Sequence, residues 1–257
     1  MIWIQRVLLV VTLVFAGLTM WLALQIQSVP TPEEFDLPNG FETPILAMEF
    51  PRDAVDFEFI LGPEKEAMRR HIYVVQYIDQ YFPYAYGGLL ASFLASIIFL
   101  LMRRFSRHKL LHITLLIVGA ALTVCVIQSD LRENAAIDRA LSAALTDTAA
   151  MQVMLDTLAG SVALQAWIKW TAIAMTIGLT SLLLMALRQR ILGGLALLPV
   201  LATIYAALIN SSGPAIEFMA QAIAVFFLAI PVMAVYFLVL TFRRTEPENE
   251  SPRQVET

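Results

Sequence analysis

Cysteine occurs once in the chain, at Cys125, and histidine three times. A single thiol excludes an internal disulfide and a cysteine-based zinc cluster. Without cysteines a zinc site leans on several imidazoles together. His108 and His112, set among Arg107 and Lys109, read as one basic helix end, and His71 lies on a different segment. No metal and no other cofactor is expected. Charge is scarce too: Asp, Glu, Lys and Arg make up 15% of the residues, against about 25% in a soluble domain. The formal net charge is −4, and no basic face with interleaved aromatics points to nucleic acid. The chain carries no G-x-S-x-G, P-loop or dinucleotide fingerprint. Sustained apolar/polar alternation is missing as well, which argues against a transmembrane barrel.

What fills the chain instead is apolar: 59% of residues, with a mean hydropathy of +0.72. The apolar residues come in blocks of bilayer length, and about 20 of them in succession make a spanning helix. Six spans are read, at Val7 to Gln25, Pro83 to Met102, Leu110 to Ile127, Val162 to Leu187, Ile191 to Asn210 and Phe218 to Phe242. The first block exceeds the roughly 7–15 apolar residues of a signal peptide and lacks an A-x-A-like cleavage site, so it reads as an uncleaved anchor. The expected fold is an all-α polytopic bundle with a helical outer cap between spans one and two. Residues 1–190 would form a four-span core that includes the outer segment 28–82, residues 191–242 two further helices, and residues 243–257 a disordered tail.

Lys and Arg in short connections set orientation. Arg103, Arg104, Arg107 and Lys109 fill the link between spans two and three, Arg188 and Arg190 the link between four and five, and Arg243 and Arg244 follow span six. Together with Arg6 they fall on one side, which places both termini in the cytoplasm of a cell-membrane protein. The span interiors carry no acids, which weighs against an ion-coupled pump.

The outer segment is too long for a simple connection. Thr43 and Pro44 suit a helix start that places Glu49 in an apolar run. "AVDFEFIL" alternates like a strand, but an isolated strand has nothing to pair with, and helix is preferred. From Pro63 a helix is expected to run into span two with a bend at Pro83; Met68, Ile72, Val75 and Asp79 share its inner stripe. Tyr77, Tyr81, Tyr84 and Tyr86 read as an interfacial belt. In span two, Gly88, Ser92 and Ser96 make a small-residue face for close helix approach, by another membrane protein or a second copy.

Polar groups collect at the outer ends of the spans. Asp130 and Glu133 fit a capping pair that would end one helix and start the next. Alternatively span three runs on, stacking Asp130, Asn134 and Asp138 on one face. Lys169, between Trp167 and Trp170, is either an interfacial anchor or a partner for an outer acid. The succession "TPILAMEF", "YIDQYFPYAYGGLL", "SDLREN" and "WIKW" resembles a pattern in uncharacterised four-span bacterial membrane proteins, over about residues 1–190. That resemblance implies no reaction, and spans five and six have no counterpart in it. It does raise Glu49, Asp79, Asp130, Glu133, Asn134 and Lys169 above their neighbours as a ligand site or polar network. The preferred role is non-enzymatic, binding a lipid or partner protein at the outer face. The alternatives are a transport component with an acidic outer mouth and an outer-face enzyme using paired carboxylates on a lipid.

Overall fold

The computed structural model describes residues 2–32, 36–62, 65–143 and 149–243. Helix α1 (Ile2–Gln27) is followed by three short cap helices, α2 (Pro44–Glu49), α3 (Ala54–Leu61) and α4 (Glu66–Asp79). The chain returns through α5 (Phe82–Arg104), then α6 (Lys109–Ala143) and α7 (Ala149–Ala186). Helices α8 (Arg190–Leu195), α9 (Leu197–Leu208) and α10 (Gly213–Arg243) complete it, and no strand occurs among the described residues. Six helical stretches are long and apolar enough to cross a membrane, with α8 and α9 together forming the fifth. The protein is thus all-α and has the make-up of a multi-pass membrane protein.

Large apolar side chains remain exposed along α1, α6, α9 and α10, among them Val10, Ile117, Leu201 and Val232. Such a surface suits hydrocarbon, where backbone groups must be satisfied within each helix. Inside the bundle, α5 packs against α1, α6 and α7, and α10 against α1 and α9. The small-residue face of α5 is taken up within the chain. Gly88 lies against the Phe15 ring, and the Thr12 hydroxyl donates to Ser92 Oγ at 3.1 Å.

Two helix breaks follow from proline's missing N–H. An uninterrupted helix would bond the Pro83 nitrogen to the Asp79 carbonyl. Helix α4 ends at Asp79 and α5 starts afresh at Phe82, so the expected single bent helix is two helices. Pro199 likewise has no N–H for Leu195, where α8 stops. Pro231, by contrast, sits within an unbroken α10.

At 35 residues, α6 is about 52 Å long and exceeds the roughly 30 Å hydrocarbon core. Helix α7, over its 38 residues, is longer still. They pair over much of their length, and the outer part of this hairpin is the wall on which α2, α3 and α4 rest. "AVDFEFIL" is helical, with the Asp53 carboxylate accepting from Val55 N and Asp56 N. Met68, Ile72 and Val75 of α4 are buried as their spacing requires.

The cap is also fastened to the far span. Asn39 and Gly40 adopt left-handed backbone, with φ of 59° and 75°. A Cβ on Gly213 would stand 2.7 Å from the Asn39 carbonyl oxygen and the Phe41 nitrogen. Only glycine lets the start of α10 come this close to the turn that leads into α2. Pro63, Glu64 and the proposed disordered tail lie outside the described residues, Arg243 excepted.

Candidate functional site

The six residues singled out in the sequence meet where the cap rests on the bundle. Lys169 of α7 is 5% exposed, and its Nζ lies 3.0 Å from Glu49 Oε1, 3.1 Å from Asp130 Oδ1 and 2.9 Å from Glu133 Oε1. An ammonium has three N–H donors, and three carboxylates surround this one. Of the two sequence readings of Lys169, the partner of outer acids is the one realised.

The remaining carboxylate oxygens are mostly taken too. Trp170 Nε1 donates to Glu49 Oε2 at 2.8 Å, and the Tyr86 hydroxyl to Asp130 Oδ2 at 2.5 Å. Trp167 meets Phe50 edge-on, with ring centroids 4.9 Å apart. "WIKW" therefore turns three of its four side chains towards the cap: a ring for Phe50, an ammonium for the acids and an indole N–H for Glu49. Asn134 Nδ2 donates to Asp79 Oδ2 at 2.9 Å, joining the end of α4 to α6. One oxygen is left over: Glu133 Oε2 is buried without a hydrogen-bond partner.

Three expectations are corrected here. Asp130 and Glu133 cap nothing, because α6 continues unbroken from Lys109 to Ala143. Their i, i+3 spacing fits a capping box and one face of a continuous helix equally well, and the facing Lys169 selects the helix. Tyr86 is not part of an interfacial belt; it is 3% exposed, held by Asp130 and stacked on Phe227. Asp138 does not join Asp130 and Asn134 in the cluster but is exposed further out on α6. Tyr77, Tyr81 and Tyr84 are exposed, as belt residues are, and Tyr73 is exposed with them.

Two acids that the sequence reading passed over fasten the cap. Glu217, in the first turns of α10, accepts from Glu42 N at 3.1 Å and Thr43 N at 2.8 Å through Oε1. Its Oε2 accepts from the Thr43 hydroxyl at 2.8 Å. Thr43 does occupy the N-cap position of α2, but its side chain makes no cap hydrogen bond. Asp156 of α7 accepts from Ala54 N at 2.8 Å, at the start of α3. Asp156 thus satisfies an amide that the start of α3 leaves open, and Glu217 pins the two residues that lead into α2. Their signal in the sequence was slight: Glu217 stands one residue before an apolar block, and Asp156 is a lone acid.

Beside the cluster, α4 and α6 border a groove of about 830 Å³ lined by Arg70, Tyr73, Gln76, Tyr77, Asn134 and Asp138 among others. Gln76 is 4% exposed, and neither its amide oxygen nor its nitrogen has a partner. Leaving such a group unpaired costs about 1–3 kcal/mol. Asp79, half-buried nearby, has its pKa raised to about 7 by burial and then by the neighbouring Asp130 charge, against the pull of Lys169. Among the described residues no group of three His, Cys, Asp or Glu is arranged to hold a metal ion. His71 Nδ1 is instead 2.9 Å from the Pro30 carbonyl oxygen, and His112 is buried while His108 is exposed.

The chain matches no protein-family model, and no curated protein or solved structure is significantly similar to it.

Proposed function

We propose that the protein is a non-enzymatic integral membrane protein whose cap binds the headgroup of a lipid, with the lysine cluster holding the cap against the spans. The unpartnered Gln76 amide, buried in the wall of the α4–α6 groove, carries this reading. A buried amide with both polar atoms unpaired gains a donor and an acceptor partner if its side chain turns into the groove towards a guest. The groove runs along α6 from Asn134, close to the membrane boundary, to Ser142. Exposed Tyr73 and Tyr77 stand along it, in the manner of headgroup-level aromatics. Arg70 of α4 and Asp138 of α6, on opposite walls, suit a headgroup bearing both phosphate and amine.

The lysine cluster supports a structural rather than a chemical role for itself. Each donor of Lys169 faces a carboxylate, so no free amine is offered to a substrate. None of the main cavities is lined by Glu49, Asp130, Glu133 or Lys169. On the bias of Lys and Arg, the cap faces away from the cytosol and both termini face it, in the cell membrane.

The test is lipid retention in native mass spectrometry, with phosphatidylethanolamine as the probe and Gln76→Leu as the variant. Wild-type protein retains the lipid, whereas Gln76→Leu loses it yet melts at a higher temperature, because an unsatisfied amide has been replaced by an apolar group of similar size. Equal lipid retention by the two proteins, or none by wild type, would exclude this reading.

A further inference from the structure

At the end of the bundle opposite the cap, a second cavity of about 340 Å³ opens between α1, α5, α10 and the turn after α7. Its wall includes Arg103 and Arg104 at the end of α5, Gln5 of α1 and Gln189 of the turn, over a floor of Leu100 and Phe237. Both guanidinium groups are pinned. Arg103 Nη1 donates to Gln5 Oε1 at 2.9 Å, and Arg104 Nη1 to the Leu187 carbonyl at 3.1 Å. Gln5 is itself 1% exposed, so the arginine it holds is anchored to a buried group.

Two features distinguish these arginines from charges that only set orientation. An arginine that merely marks the non-translocated side has no reason to be held against a concavity. Here each spends one N–H on the fold, out of the five that a guanidinium carries. The cavity, moreover, has no carboxylate in its lining. Among the described residues neither Arg103 nor Arg104 has an acidic partner within ion-pair distance.

We propose that this cavity binds a phosphate group through Arg103 and Arg104. Guanidinium forks match phosphate oxygens with paired charge-assisted hydrogen bonds. Basic pockets between spans on the cytoplasmic side are suited to phospholipid headgroups. The apolar floor would accept the first carbons of an acyl or glycerol chain, and the same arginines would also take a free phosphate.

Native mass spectrometry of the full chain in detergent tests this with three probes: phosphatidylglycerol, diacylglycerol lacking the phosphate, and inorganic phosphate. Wild type retains phosphatidylglycerol and not diacylglycerol. Displacement by millimolar inorganic phosphate identifies the free ion as a sufficient ligand; resistance to it identifies the lipid. Binding weakens by roughly tenfold for each of Arg103→Gln and Arg104→Gln, the loss expected for a charge-assisted hydrogen bond. Arg107→Gln, on the same link but outside the cavity, leaves binding unchanged. Gln189→Glu keeps both arginines and adds a carboxylate to the wall, so its loss of binding does not depend on a damaged fold. Equal retention of phosphatidylglycerol and diacylglycerol, undiminished binding in the arginine variants, or an equal loss in Arg107→Gln overturns the proposal.

Discussion

Lys169 concentrates the energetic risk of the molecule in one side chain. Removing one partner from a buried charge cluster leaves the others uncompensated, at a cost of about 3–5 kcal/mol. Lys169→Met is therefore expected to lower the melting temperature in detergent sharply, since three buried carboxylates would face one another without a cation. Glu133→Gln should do far less harm, because it removes one of three like charges while its amide oxygen can still accept from Lys169. Were both variants equally destabilised, the cluster would not be governed by charge. Asp79 gives a pH signature. Its folded pKa of about 7 lies above the ordinary 3.8, so the folded state keeps a proton that the unfolded chain has lost. The associated stability is complete below about pH 4, falls as pH rises, and is gone above pH 7. The protection factors of α4 amides, with the intrinsic base-catalysed rise in exchange divided out, should fall between pH 5 and 8 in wild type but not in Asp79→Asn. These residues were visible as candidates in the sequence because acids and lysine are expensive beside lipid. Their pairing was not, since nothing local says which carboxylate faces which amine.

At the level of elements, the spans were legible from apolar run length alone, whereas the cap helices depend on partners far along the chain. Helix α2 has six residues, too few to persist in isolation, and the Glu42 and Thr43 amides just before it are held by a carboxylate from the last span. Glu217→Ala should release α2 and the preceding turn. Hydrogen exchange of Thr43 and its neighbours is expected to rise by ten- to a hundredfold, as befits a loss of about 1–3 kcal/mol, while α5 and α6 remain protected. Unchanged exchange in α2 would mean that packing of Met48 and Phe50 suffices without the acid. The same logic explains why α6 was ambiguous in the sequence. Asp130 and Glu133 carry the signature of a helix start, and only the facing α7 shows that the helix passes straight through. Tyr86 is a parallel case: its neighbours Tyr81 and Tyr84 point outward, and no pattern in the sequence separates it from them.

For the whole molecule, the two ends differ in chemistry: carboxylates gather under the cap, and arginines rim the opposite end. On the proposed orientation, single cysteines placed at Ser142 and Ser106 in a Cys125→Ala background should differ in their response to an impermeant thiol reagent on intact cells. Ser142→Cys labels and Ser106→Cys does not; the reverse result would invert the molecule in the membrane. The bond between Thr43 and Glu217 bridges 174 positions, and chains are made from the N-terminus onward. On the proposed orientation, α2 and its leading turn have already crossed the membrane without their clasp while the ribosome is still producing the middle spans. The turn leading into α2 is consequently the last part of the cap able to close, although it is among the first to be translated. On that orientation a nascent chain presents the open amides of Glu42 and Thr43 to the extracytoplasmic side until Glu217 arrives with the final span.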